Sequence, residues 1–340
     1  MAIYKAPDRT ALVHIGIDKT GTTFIQNFCT DHRMTLLQGG LNYPRPAIKD
    51  GFSHVEFSKA HGFLWNEEAS SETSQMAGND LLDPLNSEEH SALISTECFC
   101  YYNSTLALQR LKSWLNAQGY LKYQIIVYLR NQVDWFISLY SEYLRWGNRE
   151  TIGKFHEICR WRLWHSNLLN DWEGVFGREA MVVRSYDNTK TLLEDFVSVF
   201  GGSAEVQKLA QQYRPKFSNF TLSQIMLEHL RTLQLNLPSD RFYDFVINRL
   251  SLVVPRFLPE LFARRIWPLP EAFLEMLPAL QADNNAICYK YNITLPALDE
   301  RARLYNSTVQ PMTLTEVKDS AQLMLIELMS EASAVMLNQK

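Results

Sequence analysis

Two short stretches carry side chains suited to holding a phosphate-like anion. The first runs Gly16-Ile17-Asp18-Lys19-Thr20-Gly21-Thr22-Thr23 and follows the apolar run Ala11-Leu12-Val13-His14-Ile15. One Lys, two Gly and three Thr in a turn that opens a helix at Phe24 aim backbone N–H groups and hydroxyls at one point, at the positive end of a helix dipole. The second is Tyr123-Gln124-Ile125-Ile126-Val127-Tyr128-Leu129, ended by Arg130, with Ser138 in the early turns of the helical pattern that follows. A guanidinium at a strand's carboxyl end and a hydroxyl eight residues later can grip one phosphate, at the edge where open α/β sheets bind ligands.

These residues need strands to carry them. The pattern predicts strands near 11–16, 91–96, 123–129 and 180–185, each followed by a helical stretch, which implies a parallel sheet covered on both faces. Ser166 to Phe176 reads as an amphipathic helix with Gly177 as its C-cap, and a helix beginning at Leu192 is stopped by Gly201-Gly202. Residues 66–90 are acidic and without period. They read equally as a lid over a substrate and as an insertion with no role. From 220 onward the pattern is helical, at 222–233, 242–250, 270–291 and 315–337, with Pro255, Pro259, Pro268 and Pro270 between. The expected organisation is one α/β domain, with a core over 10–220 and a mainly helical extension over 221–340.

The order Lys-Thr-Gly-Thr-Thr differs from the nucleoside-triphosphatase loop, G-x-x-x-x-G-K-[ST], because Lys19 precedes Gly21 and Thr22 stands where that Lys would be. It resembles the sulfotransferases, enzymes that use 3′-phosphoadenosine 5′-phosphosulfate (PAPS) as sulfuryl donor. The succession from Ser166 to Phe196, and Asn219-Phe220-Thr221-Leu222-Ser223, resemble bacterial carbohydrate-type members. The resemblance spans residues 10–235 and implies a P-loop-like fold. It implies that the loop wraps the 5′-phosphosulfate, with Thr20, Gly21, Thr22 and Thr23 as the cradle and Lys19 on the bridging oxygen and leaving phosphate. Arg130 and Ser138 would hold the 3′-phosphate.

Transfer also needs a base near the acceptor. Glu97, after the apolar run Ala92-Leu93-Ile94-Ser95-Thr96, is the first candidate; His54 and His61, in GFSHVEFSKAHG, are its rivals. His14, inside the first strand, and His165, near Trp161 and Trp164, read as packed histidines. Trp65, Trp146, Trp161 and Trp164 offer stacking faces for adenine or sugar, whereas Trp172 is assigned to the core. No metal is expected. The acceptor implied by the resemblance is a hydroxyl or amine on a small molecule or, foremost, a glycan.

Composition bounds the rest. A 340-residue chain with 46% hydrophobic residues can bury a large core, and a net charge of −4 gives no broad basic face for nucleic acid. The local cluster Arg145, Arg149, Arg160 and Arg162 reads as solvated, or as steering an anionic donor. Cysteines 29, 98, 100, 159 and 288 have no metal-ligand spacing and read as reduced thiols. The first residues, MAIYKAPDRTALVHIG, show no signal region, and no apolar run reaches the ~18 residues of a membrane span. A cytoplasmic, bacterial enzyme is expected. Two other readings stay open: a P-loop kinase or NTPase, with Glu97 as a metal-binding carboxylate, and a nucleotide-binding protein without turnover.

Overall fold

The computed structural model describes residues 9–45, 53–60, 90–101, 104–146, 148–187, 191–214 and 269–306. His61, Trp65, nearly all of the 66–90 stretch, Asn219 to Ser223 and the helices expected at 222–233, 242–250 and 315–337 lie outside them. Contacts divide the chain into two compact units: 1–131, 162–217 and 280–296 form the first, and 132–161, 218–279 and 297–340 the second.

The first unit is built on five strands: β1 (Thr10–His14), β2 (Leu41–Asn42), β3 (Ser91–Ser95), β4 (Lys122–Leu129) and β5 (Met181–Ser185). All pair in parallel, in the order β2-β3-β1-β4-β5. Four of the five were legible as apolar runs; β2 is two residues long and leaves no period to read. β1 and β3 are buried almost throughout, as expected of a parallel sheet with both faces covered.

Alternation along β1 sends Leu12 to one face and Ala11 and Val13 to the other. On the Leu12 face the core gathers Ile25, Phe28, Leu36, Leu93, Ile126, Tyr128, Phe196 and Val206. These come from α1 (Thr22–Asp31), α2 (Arg33–Gln38), α8 (Leu192–Val199) and α9 (Ala204–Gln212) as well as the strands. Two further helices, α4 (Thr105–Ala117) and α7 (His165–Phe176), pack on each other and carry Trp114 and Trp172 into the core, Trp172 fully buried as its pattern predicts. Their ends follow local chemistry. The Ser104 hydroxyl accepts from the Ala107 N–H to cap α4, and Gly177, at φ 91°, closes α7 by donating its N–H to the Glu173 carbonyl. A short helix, α3 (Val55–Ala60), follows His54.

The second unit holds α5 (Gln132–Arg145), α6 (Ile152–Cys159), the start of α10 (Glu271–Tyr291) and α11 (Leu298–Asn306). Phe136, Phe155 and Phe273 form its aromatic centre, with ring centroids 4.8–5.5 Å apart. Asp134 ties α11 to α5 by accepting from the Tyr305 hydroxyl at 2.7 Å and pairing with Arg301 at 3.3 Å. None of the five cysteines forms a disulfide; Cys29, Cys98, Cys100 and Cys159 are buried and Cys288 is partly exposed. Among the described residues no helix is long and apolar enough to cross a membrane.

Candidate active site

The sheet order sets the site. The chain leaves β1 toward the β2 edge and leaves β4 toward the β5 edge, so the connections diverge at the carboxyl ends of these adjacent strands, the position where open α/β sheets bind ligands. The two strands stay laced together past their formal ends. Ile15 donates its N–H to the Ile126 carbonyl at 2.9 Å, Tyr128 to Gly16 at 2.7 Å and Ile17 to Tyr128 at 3.2 Å. This ladder delivers the loop of residues 16–21 beside Arg130. There the Arg130 Nη1 donates to the Lys19 carbonyl at 2.7 Å.

The loop is internally fixed. The Thr20 hydroxyl donates to the Ile17 carbonyl, and the Thr22 hydroxyl donates to the same oxygen at 3.3 Å. Both threonines are buried, while Thr23 is exposed. Two of the expected cradle hydroxyls thus shape the loop itself. Outward it offers the first amides of α1, whose N-terminus carries no side-chain cap. Lys19 sits at φ 63°, a left-handed conformation that costs a non-glycine residue on the order of 1 kcal/mol. Gly21, at φ 76°, holds a conformation that favours glycine, and a Cβ there would also push the Leu192 side-chain methyl aside.

Arg130 is held from several sides. His165 Nε2 donates to its carbonyl at 3.0 Å, the next amide, that of Asn131, donates to Asp187 Oδ2 at 2.6 Å, and its guanidinium lies 5.4 Å from the Tyr186 ring centroid. Its buried Nε has no protein partner. An uncapped helix start beside a partly unsatisfied guanidinium fits an anionic group.

Glu97 begins the 3-10 turn Glu97–Cys100 after β3, capped by the Thr96 hydroxyl accepting from the Cys98 N–H. The turn abuts the first loop: a Cβ on Gly16 would stand 3.3 Å from the Glu97 Cα, a tight contact, and the φ of 95° at Gly16 favours glycine. The carboxylate is half-buried and accepts from Gln26 Nε2, on α1, at 3.1 Å. Lys19, Glu97 and Arg130 therefore stand on loops at the carboxyl edge of one sheet.

His54 is placed differently. Its Nδ1 accepts from the Ser95 N–H at 2.9 Å and its Nε2 donates to the Pro44 carbonyl at 3.0 Å, so both nitrogens are engaged with backbone. It is 1% exposed, and burial lowers its pKa to about 4. His54 extends the edge of β3 as a neutral ring. His14 is buried against Tyr128 and Phe196, with Nδ1 2.8 Å from the Ser95 hydroxyl and its pKa lowered to about 3 by burial. Ser138 is half-buried on α5, in the second unit. Trp146 and Trp161 are exposed there, and Trp164 is half-buried in the first unit.

The structure adds residues that sequence reading passed over. Arg162 is not solvated; it forms a 2.8 Å ion pair with Asp18, with side chains 10% and 4% exposed. Tyr186, Asp187, Gln26 and Tyr101 likewise support the site. None carries a motif, and the two members of the ion pair lie 144 positions apart. Among the described residues no group of three or more His, Cys, Asp or Glu is arranged to hold a metal ion.

No family model and no curated protein matches the chain. Among solved structures it is similar to a sulfotransferase from Alicyclobacillus acidocaldarius, at 15% identity and a TM-score of 0.39, over 75% of this chain and 99% of that one.

Proposed function

We propose that the protein transfers a sulfuryl group from PAPS to a hydroxyl or amine acceptor, with a carbohydrate as the favoured acceptor class. The observation that carries this reading is the convergence at one sheet edge of the Lys19 loop, the Arg130 guanidinium and the Glu97 carboxylate. A displacement at sulfur needs those charges: cations on the leaving side and a proton acceptor on the attacking side. The open amides at Thr22 and Thr23 suit the 5′-phosphosulfate, and Arg130 suits the 3′-phosphate.

In the proposed reaction the acceptor oxygen bonds to sulfur as the bond from sulfur to the bridging phosphate oxygen breaks. The acceptor proton passes to Glu97. The charge that develops on the departing 3′,5′-bisphosphate is met by Lys19. Glu97 is preferred to His54 because both His54 nitrogens are already bonded to backbone. The Gln26 amide donates to one carboxylate oxygen of Glu97 and would fix which way the carboxylate faces.

Calorimetry with 3′,5′-bisphosphoadenosine in EDTA, with ATP as the comparison, tests the reading. Micromolar binding of the bisphosphate alone is expected. Silence toward the bisphosphate, with ATP bound once magnesium is added, would overturn it in favour of a kinase or NTPase.

A further inference from the structure

We propose that Arg162 is a positioning residue, which clamps the Lys19 loop and the Glu97 turn into one arrangement without touching the substrate. The inference rests on the roles proposed above for Lys19 and Glu97. Four observations meet at this side chain. Its Nη2 pairs with Asp18 Oδ1 at 2.8 Å, one residue before Lys19. The same Nη2 lies 3.5 Å from Cys100 Sγ, in the turn that Glu97 begins. Its guanidinium carbon stands 4.4 Å from the centroid of the Tyr101 ring, just past that turn. Arg162 itself comes from a third element, the 3-10 turn Arg160–Leu163 that leads into α7.

One guanidinium thus joins two loops that are neighbours in space and some eighty residues apart in sequence. Arginine suits this because its planar fork bonds in one direction while its face stacks in another. The surroundings register the charges. Burial and the Asp18 carboxylate push the Cys100 thiol up to about 12, and burial, with Asp18 next, raises the Tyr101 hydroxyl well above its usual range. A buried ion pair is weak evidence of stability, since apolar replacement of both partners is often neutral. What it supplies here is geometry. The distance between a general base and a leaving-group cation must be held to a fraction of an ångström, and a misplacement near 1 Å costs about 100-fold in rate.

The test separates positioning from stability. Asp18→Asn and Arg162→Met each strand a buried charge and are expected to lower the melting temperature. The double variant removes both charges and is expected to melt near the wild-type temperature. Its loops, however, are no longer clamped. Hydrogen exchange at the amides of Ile17, Cys98 and Tyr101, all hydrogen-bonded in the native protein, is expected to accelerate at least ~10-fold, with the amides of Ile126 and Val127 in β4 unchanged. In the transfer assay kcat is expected to fall about 100-fold, with a much smaller change in the donor KM. Wild-type exchange at those three amides in the double variant would overturn the proposal, as would an equal loss spread over the whole sheet. Should the double variant not fold, Arg162→Lys keeps the charge, loses the fork and is read by the same amides. Exchange decides the clamp even if the wild-type protein ignores the bisphosphate, an outcome that would remove the sulfuryl-transfer reading alone.

Discussion

Mild acid is expected to destabilise this protein strongly, through His14 and His54. Both are buried neutral in the native state, with pKa values lowered from 6.5 to about 3 and about 4. Protonating His14 would place a second N–H at Nε2, a buried atom with no partner. Protonating His54 would turn the Nδ1 acceptor of the Ser95 amide into a donor. In the unfolded chain both rings take up protons near pH 6.5. Between that pH and the native values the unfolded state therefore binds more protons, and stability rises with pH. The full contribution is present above 6.5 and is lost as the pH falls toward about 4 for His54 and about 3 for His14. At 1.36 kcal/mol per unit, each ring removes about 2 kcal/mol at pH 5, so the pair removes about 4 kcal/mol, out of a typical total of 5–15. His165, also lowered by burial, acts in the same direction. Urea titrations at pH 7.5 and 5.0 measure the loss. With a slope of about 2 kcal/mol per molar, the midpoint is expected to drop by about 2 M. Carboxylates titrate mostly below this window, and a His54→Gln variant should halve the drop. A midpoint that moves less than 0.5 M, or a variant that moves as far as the wild type, would refute the reasoning.

Three further outcomes are expected. Arg130→Gln should weaken 3′,5′-bisphosphoadenosine by about 10–100-fold in calorimetry, the worth of a charged hydrogen-bond set. Glu97→Gln should lower kcat by about 100-fold or more while leaving bisphosphate affinity within a few-fold, because its role is confined to the acceptor proton. Gly21→Ala must hold a Cβ at φ 76° against Leu192; a loss of at least ~1–2 kcal/mol in chemical denaturation and a marked loss of bisphosphate binding are expected.

The elements that organise the site were readable because they obey local rules. β1, β3, β4 and β5 are apolar runs long enough to show their character, and Gly177 closes α7 where a left-handed residue is needed. Lys19, Arg130 and Glu97 stand at strand ends and so inherit their placement from the sheet. The supporting residues could not be read in the same way. Arg162 looked like one of several surface arginines, because nothing near it in sequence announces Asp18. His54 looked like a base because an imidazole's chemistry is visible in sequence, whereas the two backbone groups that occupy it, at Pro44 and Ser95, are set by chain packing. Thr20 and Thr22 looked like ligand donors for the same reason, and each turns its hydroxyl to the loop's own Ile17 carbonyl.

The distribution of thiols gives the protein a built-in record of its own opening. Cys29, Cys98 and Cys100 report on the sheet-based unit and Cys159 on the helical one, while Cys288 stands partly exposed. Burial raises the pKa of Cys29, and it raises that of Cys98 to about 11 and that of Cys100 to about 12, so the closed forms are nearly inert to alkylation. A pulse of alkylating reagent followed by peptide mapping therefore marks Cys288 first. Every later label then dates the opening of one named region, with no residue added to the chain.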